Sequence, residues 1–196
     1  MKVVLCGPPH SGKSCLRQGL KSILSQLPDA PYPYVITACP DGEGAWFHET
    51  ATNNPELAKQ LKKLNKQAFS QQFANKIAAD VACCIEDLVL VDVGGIIDDK
   101  NRLICGGATH AIILSGDRAA FLEWEAFCQS LGLEVIARIE SCYEAKADRV
   151  DAVVGSLLHG AVHYLERGQD LSGRPMIQAL AQHVLSVYAA TKVNHK

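Results

Sequence analysis

Apolar residues in this chain fall into short continuous runs separated by longer stretches of helical spacing. The runs at 2–6, 34–39, 88–93, 111–115 and 134–139 are rich in Val, Ile and Leu, and a weaker one lies near 152–154. A strand that is apolar at successive positions is buried on both faces, as in a parallel sheet covered by helices on each side. Between the runs, helical spacing marks 13–26 (Leu16, Leu20, Ile23, Leu24), 55–86 in two pieces, 119–131, 156–166 and 175–190. Pro175, after Ser172-Gly173, suits the first turn of the last helix. The alternation predicts an α/β fold: a doubly wound, mostly parallel sheet of five or six strands flanked by helices. Such sheets bind ligands at the carboxyl ends of their strands.

The first run feeds directly into Gly7-Pro8-Pro9-His10-Ser11-Gly12-Lys13-Ser14, a full match to the phosphate-loop pattern G-x-x-x-x-G-K-[ST]. Average residue usage gives a chance match in about one sequence of this length in a hundred. A strand precedes it and a helix follows, which is the setting the loop needs. Backbone N–H groups of His10, Ser11, Gly12, Lys13, Ser14 and Cys15 are expected to converge at a helix N-terminus, where the dipole favours an anion. Gly7 and Gly12 supply backbone geometry that side chains would obstruct. Pro8 and Pro9 offer no N–H and stiffen the first half. Lys13 is expected to reach the β- and γ-phosphates of a nucleoside triphosphate and Ser14 to ligate Mg²⁺. His10 is otherwise a variable filler of the loop.

A second signal is Leu88-Val89-Leu90-Val91-Asp92-Val93-Gly94-Gly95. An apolar strand ending in aspartate is the usual companion of a phosphate loop, its carboxylate reaching Mg²⁺ directly or through water. Asp92 is thus the expected metal partner; the other reading is a strand-end cap. Gly94-Gly95 would let the following segment pass close to the phosphates, and a plain turn explains them nearly as well. Val93 stands where mechanical ATPases place a glutamate, no N-K-x-D guanine motif is present, and no G-x-G-x-x-G follows the first strand. Small-molecule or nucleotide kinases fit best, with ATP as phosphoryl donor and a small or nucleotide acceptor.

The segment Cys39-Pro40-Asp41-Gly42-Glu43-Gly44-Ala45-Trp46-Phe47 follows the second strand. Phosphoryl transfer needs a carboxylate to accept or orient the acceptor hydroxyl's proton, so Asp41 and Glu43 join Lys13 and Asp92 as candidate catalytic residues. Trp46 and Phe47 could wall a ring; the bland reading is a solvated turn. Residues 45–86 form a helical excursion, in which Lys59, Lys62, Lys63 and Lys66 make a positive stripe beside Leu57, Leu61 and Leu64. That stripe either faces a phosphorylated acceptor, an acidic protein or RNA, or is simply solvated. Arg102, Arg118, Arg138, Arg149 and Arg174 are candidate phosphate clamps.

Composition narrows the setting. The length of 196 residues suits one domain, read here as 1–190 with a loose tail at 191–196. A formal charge of −2 gives no reason to expect coating of DNA or adhesion to membranes. No run approaches membrane-spanning length, so a cytoplasmic protein is expected, with self-association left open. The eight cysteines contain no C-x-x-C, and most sit inside apolar runs and read as small buried hydrophobes. His159 and His163, one helical turn apart, read as decoration of a helix surface.

The loop Gly7–Ser14 together with Asp92 resembles P-loop proteins of the nucleotide and uridine kinase group over roughly the first 95 residues. The stretch from Val91-Asp92-Val93-Gly94-Gly95 through Thr109–Ser115 to Glu123-Trp124-Glu125-Ala126-Phe127-Cys128 and Gly132-Leu133 also resembles a narrower family. That family is the P-loop, AAA-like module found fused to or beside CRISPR-associated ring nucleases. The resemblance implies an antiviral type III setting. There the module would be nucleotide-gated and regulatory, with a ring-nuclease partner and cyclic oligoadenylate signalling. No nuclease half is recognisable in this chain.

Overall fold

The computed structural model describes residues 1–39 and 69–193. Asp41, Glu43, Trp46, Phe47, the lysine stripe and the first piece of the predicted 55–86 helix lie outside the described residues. In chain order the elements are β1 (Lys2–Cys6), α1 (Lys13–Leu24), β2 (Pro33–Thr37), α2 (Gln71–Cys83), β3 (Leu88–Asp92) and α3 (Asp99–Cys105). Then follow β4 (His110–Ser115), α4 (Arg118–Ser130), β5 (Glu134–Cys142), β6 (Arg149–Val154), β7 (Leu157–His163) and α5 (Pro175–Val193). The described strands make one seven-stranded sheet in the order β2-β3-β1-β4-β5-β7-β6. All neighbours are parallel except the antiparallel pair β6–β7.

The continuous apolar runs have the expected cause. On β1, Val3 and Leu5 pack with Leu16, Leu20 and Leu24 of α1 and Met176, Ile177 and Leu180 of α5. The alternate residues Val4 and Cys6 face Ile77 and Val81 of α2, Ile104 and Cys105 of α3, and Trp124, Phe127 and Cys128 of α4. Each central strand therefore buries both faces, and every residue of β3 and β4 is buried. Burying one such Leu or Ile contributes on the order of 1.5–3 kcal/mol, so these strands anchor the edge that carries the site. No disulfide joins any of the cysteines, and Cys6 Sγ lies 3.8 Å from Cys128 Sγ in the second of these cores. Contacts with Cys105 and Cys128, reinforced by burial, raise the Cys6 thiol well above its ordinary pKa.

Three expectations need correction. The helix expected over 156–166 is instead strand β7, joined to β6 by a tight turn in which Gly155 has φ +63°. Leu158 and Val162 enter the core as alternate strand residues. Gly160 lets α5 and β6 approach, since a Cβ there would lie 2.2 Å from Met176 Sδ and 2.5 Å from the Arg149 carbonyl oxygen. His159 and His163 accordingly sit on a strand and not on a helix. The sheet gains a seventh strand from the same hairpin. The third correction is to the tail: α5 runs on through Val193, and Lys192 Nζ bonds Asp87 Oδ2 at 3.1 Å. Helix α3 is an addition, nucleated by Asp98, whose carboxylate accepts from Asn101 N at 2.8 Å.

Candidate functional site

The parallel strands β1, β2, β3, β4, β5 and β7 all end at one edge of the sheet, so Cys6, Thr37, Asp92, Ser115, Cys142 and His163 share it. β1 lies between β3 and β4, with Leu5 opposite Asp92 and Cys6 opposite Ile113. The loop Gly7–Ser14 thus leaves β1 directly beside the aspartate that ends β3. Gly7 has φ +144°, and a Cβ there would lie 1.9 Å from the Leu114 carbonyl oxygen, so no other residue fits. Gly12 has φ +92° and caps α1 without a side-chain bond, and the first turn of that helix holds no acidic residue. His10 also adopts positive φ, at +62°. The outcome is a left-handed bend that directs the loop into a helix N-terminus suited to an anion.

Lys13 is buried, and its Nζ donates to the carbonyls of Gly7 and Pro8, both at 2.9 Å. The ammonium is thereby held across the mouth of its own loop. Ser14 Oγ donates to Asp92 Oδ2 at 2.9 Å, which brings together the two residues expected to share Mg²⁺. Asp92 is only 5% exposed. Ser11 Oγ is buried with no hydrogen-bond partner among the described residues, a polar atom that a phosphate oxygen would satisfy. The glycine cradle, the hydroxyl–carboxylate pair of hard oxygen donors and this orphan hydroxyl all fit a magnesium–polyphosphate group. The Cys15 side chain packs against the core beneath α1, so its contribution to the site is its backbone.

Sequence reading missed Arg17. Its NH1 lies 3.3 Å from Asp92 Oδ2 and 3.4 Å from Thr37 Oγ1 at the end of β2. The signal was the spacing: three residues past Ser14 on a helix falls on the same face. Three of the arginines expected as phosphate clamps are engaged with other partners. Arg138 pairs with Glu125 at 3.1 Å, Arg149 with Asp151 at 3.0 Å, and Arg102 bonds Ser130 Oγ at 2.9 Å. Gly94-Gly95 does bring the chain against the loop: a Cβ on Gly95 would lie 2.4 Å from Pro9 N. Asn101, 1% exposed, secures that segment by donating to the Ile96 carbonyl at 2.7 Å.

A cleft of about 610 Å³ opens where β5 and β7 end, lined by Tyr143, Lys146, His163, Tyr164, Asp170 and Arg174 among others. It adjoins the phosphate loop, since a Cβ on Gly12 would lie 2.7 Å from Leu165 Cδ1. The Tyr143 and Tyr164 rings are 4.7 Å apart between centroids and tilted by 44°. Beneath them lies Asp148, whose side chain is fully buried. His163 Nδ1 lies 2.8 Å from Asp148 Oδ1, and Arg174 Nε donates to Oδ2 at 3.0 Å. Burial alone would push the Asp148 carboxyl up. Hydrogen bonds from Arg174 and from the His163 backbone and ring overcome that and leave it below the usual carboxylate range.

Neither a protein-family model nor a curated protein matches the sequence. Solved structures do match the fold. A putative plasmid partition protein from Borrelia burgdorferi B31, bound to AMPPNP, aligns over 97% of this chain and 98% of its own, with TM-score 0.59 and 12% identity. A second crystal structure of a plasmid partition protein from Borrelia burgdorferi aligns over the same shares, with TM-score 0.59 and 11% identity. The septum site-determining protein MinD from Pyrococcus horikoshii OT3, complexed with Mg-ADP, aligns over 73% of this chain and 71% of its own, with TM-score 0.49 and 11% identity. At such low identity the likeness to the partition proteins is one of architecture: the chain has the P-loop NTPase fold along nearly its whole length.

Proposed function

We propose that this chain binds MgATP and transfers its γ-phosphoryl group. The observation that carries the reading is the meeting of Ser14 Oγ and Asp92 Oδ2 at 2.9 Å beside Lys13, at a helix N-terminus entered through glycines that admit no side chain. The amides of residues 10–15 cradle the β-phosphate region, and Lys13 exchanges its bonds to Gly7 and Pro8 for phosphate oxygens. Ser14 and Asp92 would hold the metal, which when bound would supply neutralisation of the polyphosphate charge. The cleft at Tyr143 and Tyr164 takes the nucleoside, since the segment that follows β7 touches the loop at Gly12. The AMPPNP bound to the partition protein of the same fold supports ATP as the ligand.

A second reading, a nucleotide-gated regulatory module, draws on the contact of Gly95 with Pro8 and Pro9. A loop that changes on nucleotide binding would move the segment 94–98 and with it α3. The resemblance of residues 91–133 would make the partner a ring nuclease and the setting cyclic oligoadenylate signalling. Tight MgATP binding without phosphorylated product favours this reading over transfer.

Two substitutions test the site. Lys13→Ala removes the side-chain charge aimed at the triphosphate while the backbone cradle remains, and MgATP affinity by calorimetry is expected to fall at least about tenfold in protein whose circular dichroism shows it folded. Unchanged affinity overturns the reading. Asp92→Asn is expected to spare nucleotide binding without metal but to raise the Mg²⁺ needed for half-saturation. An identical Mg²⁺ titration would return Asp92 to a structural strand-end role.

A further inference from the structure

We propose that Arg17 is a resident cation of the metal site, which competes with Mg²⁺ for Asp92 and must turn toward the end of β2 when metal and polyphosphate bind. The inference rests on the MgATP reading. Three groups meet at one atom: Asp92 Oδ2 accepts from Ser14 Oγ at 2.9 Å and lies 3.3 Å from Arg17 NH1. That oxygen belongs to the carboxylate expected to serve the metal, so guanidinium and Mg²⁺ draw on the same charge. Two cations served by one carboxylate repel each other, and in a site 5% exposed at Asp92 water screens that repulsion poorly.

The arginine is also incompletely served where it stands. Its side chain is 15% exposed, and Nε is buried with no hydrogen-bond partner among the described residues. A purely structural ion pair between α1 and β3 has little to add, because Leu16, Leu20 and Leu24 already fix that helix to the sheet. Among the described residues a second acceptor in reach is Thr37 Oγ1, 3.4 Å from NH1. Leaving Asp92 therefore moves the guanidinium toward β2, and metal occupancy is reported at a strand end other than the one that binds the metal.

The test uses Mn²⁺ as a spin probe, titrated into the full-length protein with AMPPNP, with free Mn²⁺ read by electron paramagnetic resonance. Arg17→Gln is expected to lower the metal concentration at half-saturation by roughly three- to tenfold, while AMPPNP affinity without metal stays within about twofold. Thr37→Val, at an exposed position that leaves the core intact, removes the receiving acceptor and is expected to raise the metal midpoint about twofold or more. A midpoint unmoved or raised in Arg17→Gln overturns the proposal, as does a Thr37→Val titration identical to wild type. Should Arg17→Gln not fold, the Thr37→Val titration decides. Failure of the wild-type protein to bind AMPPNP at any metal concentration is a different result. It overturns the nucleotide reading, and the Arg17 proposal with it.

Discussion

Asp148→Asn is expected to be the most destabilising conservative substitution in the described part of the chain. The carboxylate is fully buried, and it pairs with Arg174, itself 15% exposed, and with His163. Neutralising it leaves the guanidinium buried without its counter-charge, a loss of about 3–5 kcal/mol. For a chain of this size each kcal/mol moves the melting temperature by roughly 2–4 °C, so a fall of about 10 °C is expected in thermal melts followed by circular dichroism at pH 7. Asp87→Asn is the matched control. It breaks the pair with Lys192, whose members are 61% and 55% exposed, and should shift stability by no more than about 0.5 kcal/mol.

The pH dependence has a definite sign. The Asp148 carboxyl is held below its ordinary range in the folded protein. Its contribution is therefore complete above the unfolded value of about 3.9 and is lost as pH falls through the lower folded one. The gap between wild type and Asp148→Asn should be full at pH 7 and close only below about pH 4. Equal melting of the two proteins at pH 7 would show that the cluster under the cleft does not hold the hairpin to α5.

That cluster illustrates what a linear reading cannot reach. Asp148 lies in Ala145-Lys146-Ala147-Asp148-Arg149, an unremarkable polar stretch, and its partners are 15 and 26 residues away. The phosphate loop was legible because its chemistry is local: eight consecutive residues carry their own turn, cap and charge. Asp92 was legible because a doubly buried strand announces itself as an apolar run, and the residue ending it is then conspicuous. The neighbouring positions of β1 and β3 followed from topology and could not be read from spacing. Arg17 escaped because one basic residue on an amphipathic helix ordinarily points to water; its burial depends on Thr37 and Asp92 arriving from two other strands. β7 was misread because Leu157, Leu158, Ala161 and Val162 satisfy a helical period as well as a strand's alternation. Gly155 and Gly160 were the available correctives, one a turn and the other a close approach. The seven residues of α3 were too few to show a period at all.

The largest kinetic effect is expected from Asp41→Asn or Glu43→Gln. The carboxylates described around the loop are already engaged: Asp92 with Ser14 and Arg17, Asp98 as the cap of α3. Val93 rather than a glutamate follows Asp92, so under the proposed phosphoryl transfer a proton acceptor for the attacking hydroxyl would come from another segment. The chain leaves β2 beside Asp92, where Ala38 N donates to the Asp92 carbonyl at 2.8 Å, and Asp41 follows Thr37 by four residues. An amide keeps the size and most of the hydrogen bonding of the carboxylate but cannot take the proton. Single-turnover product formation should then fall by roughly 10²–10⁴-fold for whichever residue is the base, with MgATP affinity within about twofold of wild type. The other amide should be nearly silent, which separates chemistry from damage to the segment. If both amides turn over at the wild-type rate, the catalytic-carboxylate assignment fails. MgATP binding that persists with no phosphorylated product in any of the three proteins would instead favour the nucleotide-gated module, with γ-phosphate sensed through Gly95 and Arg17 rather than transferred.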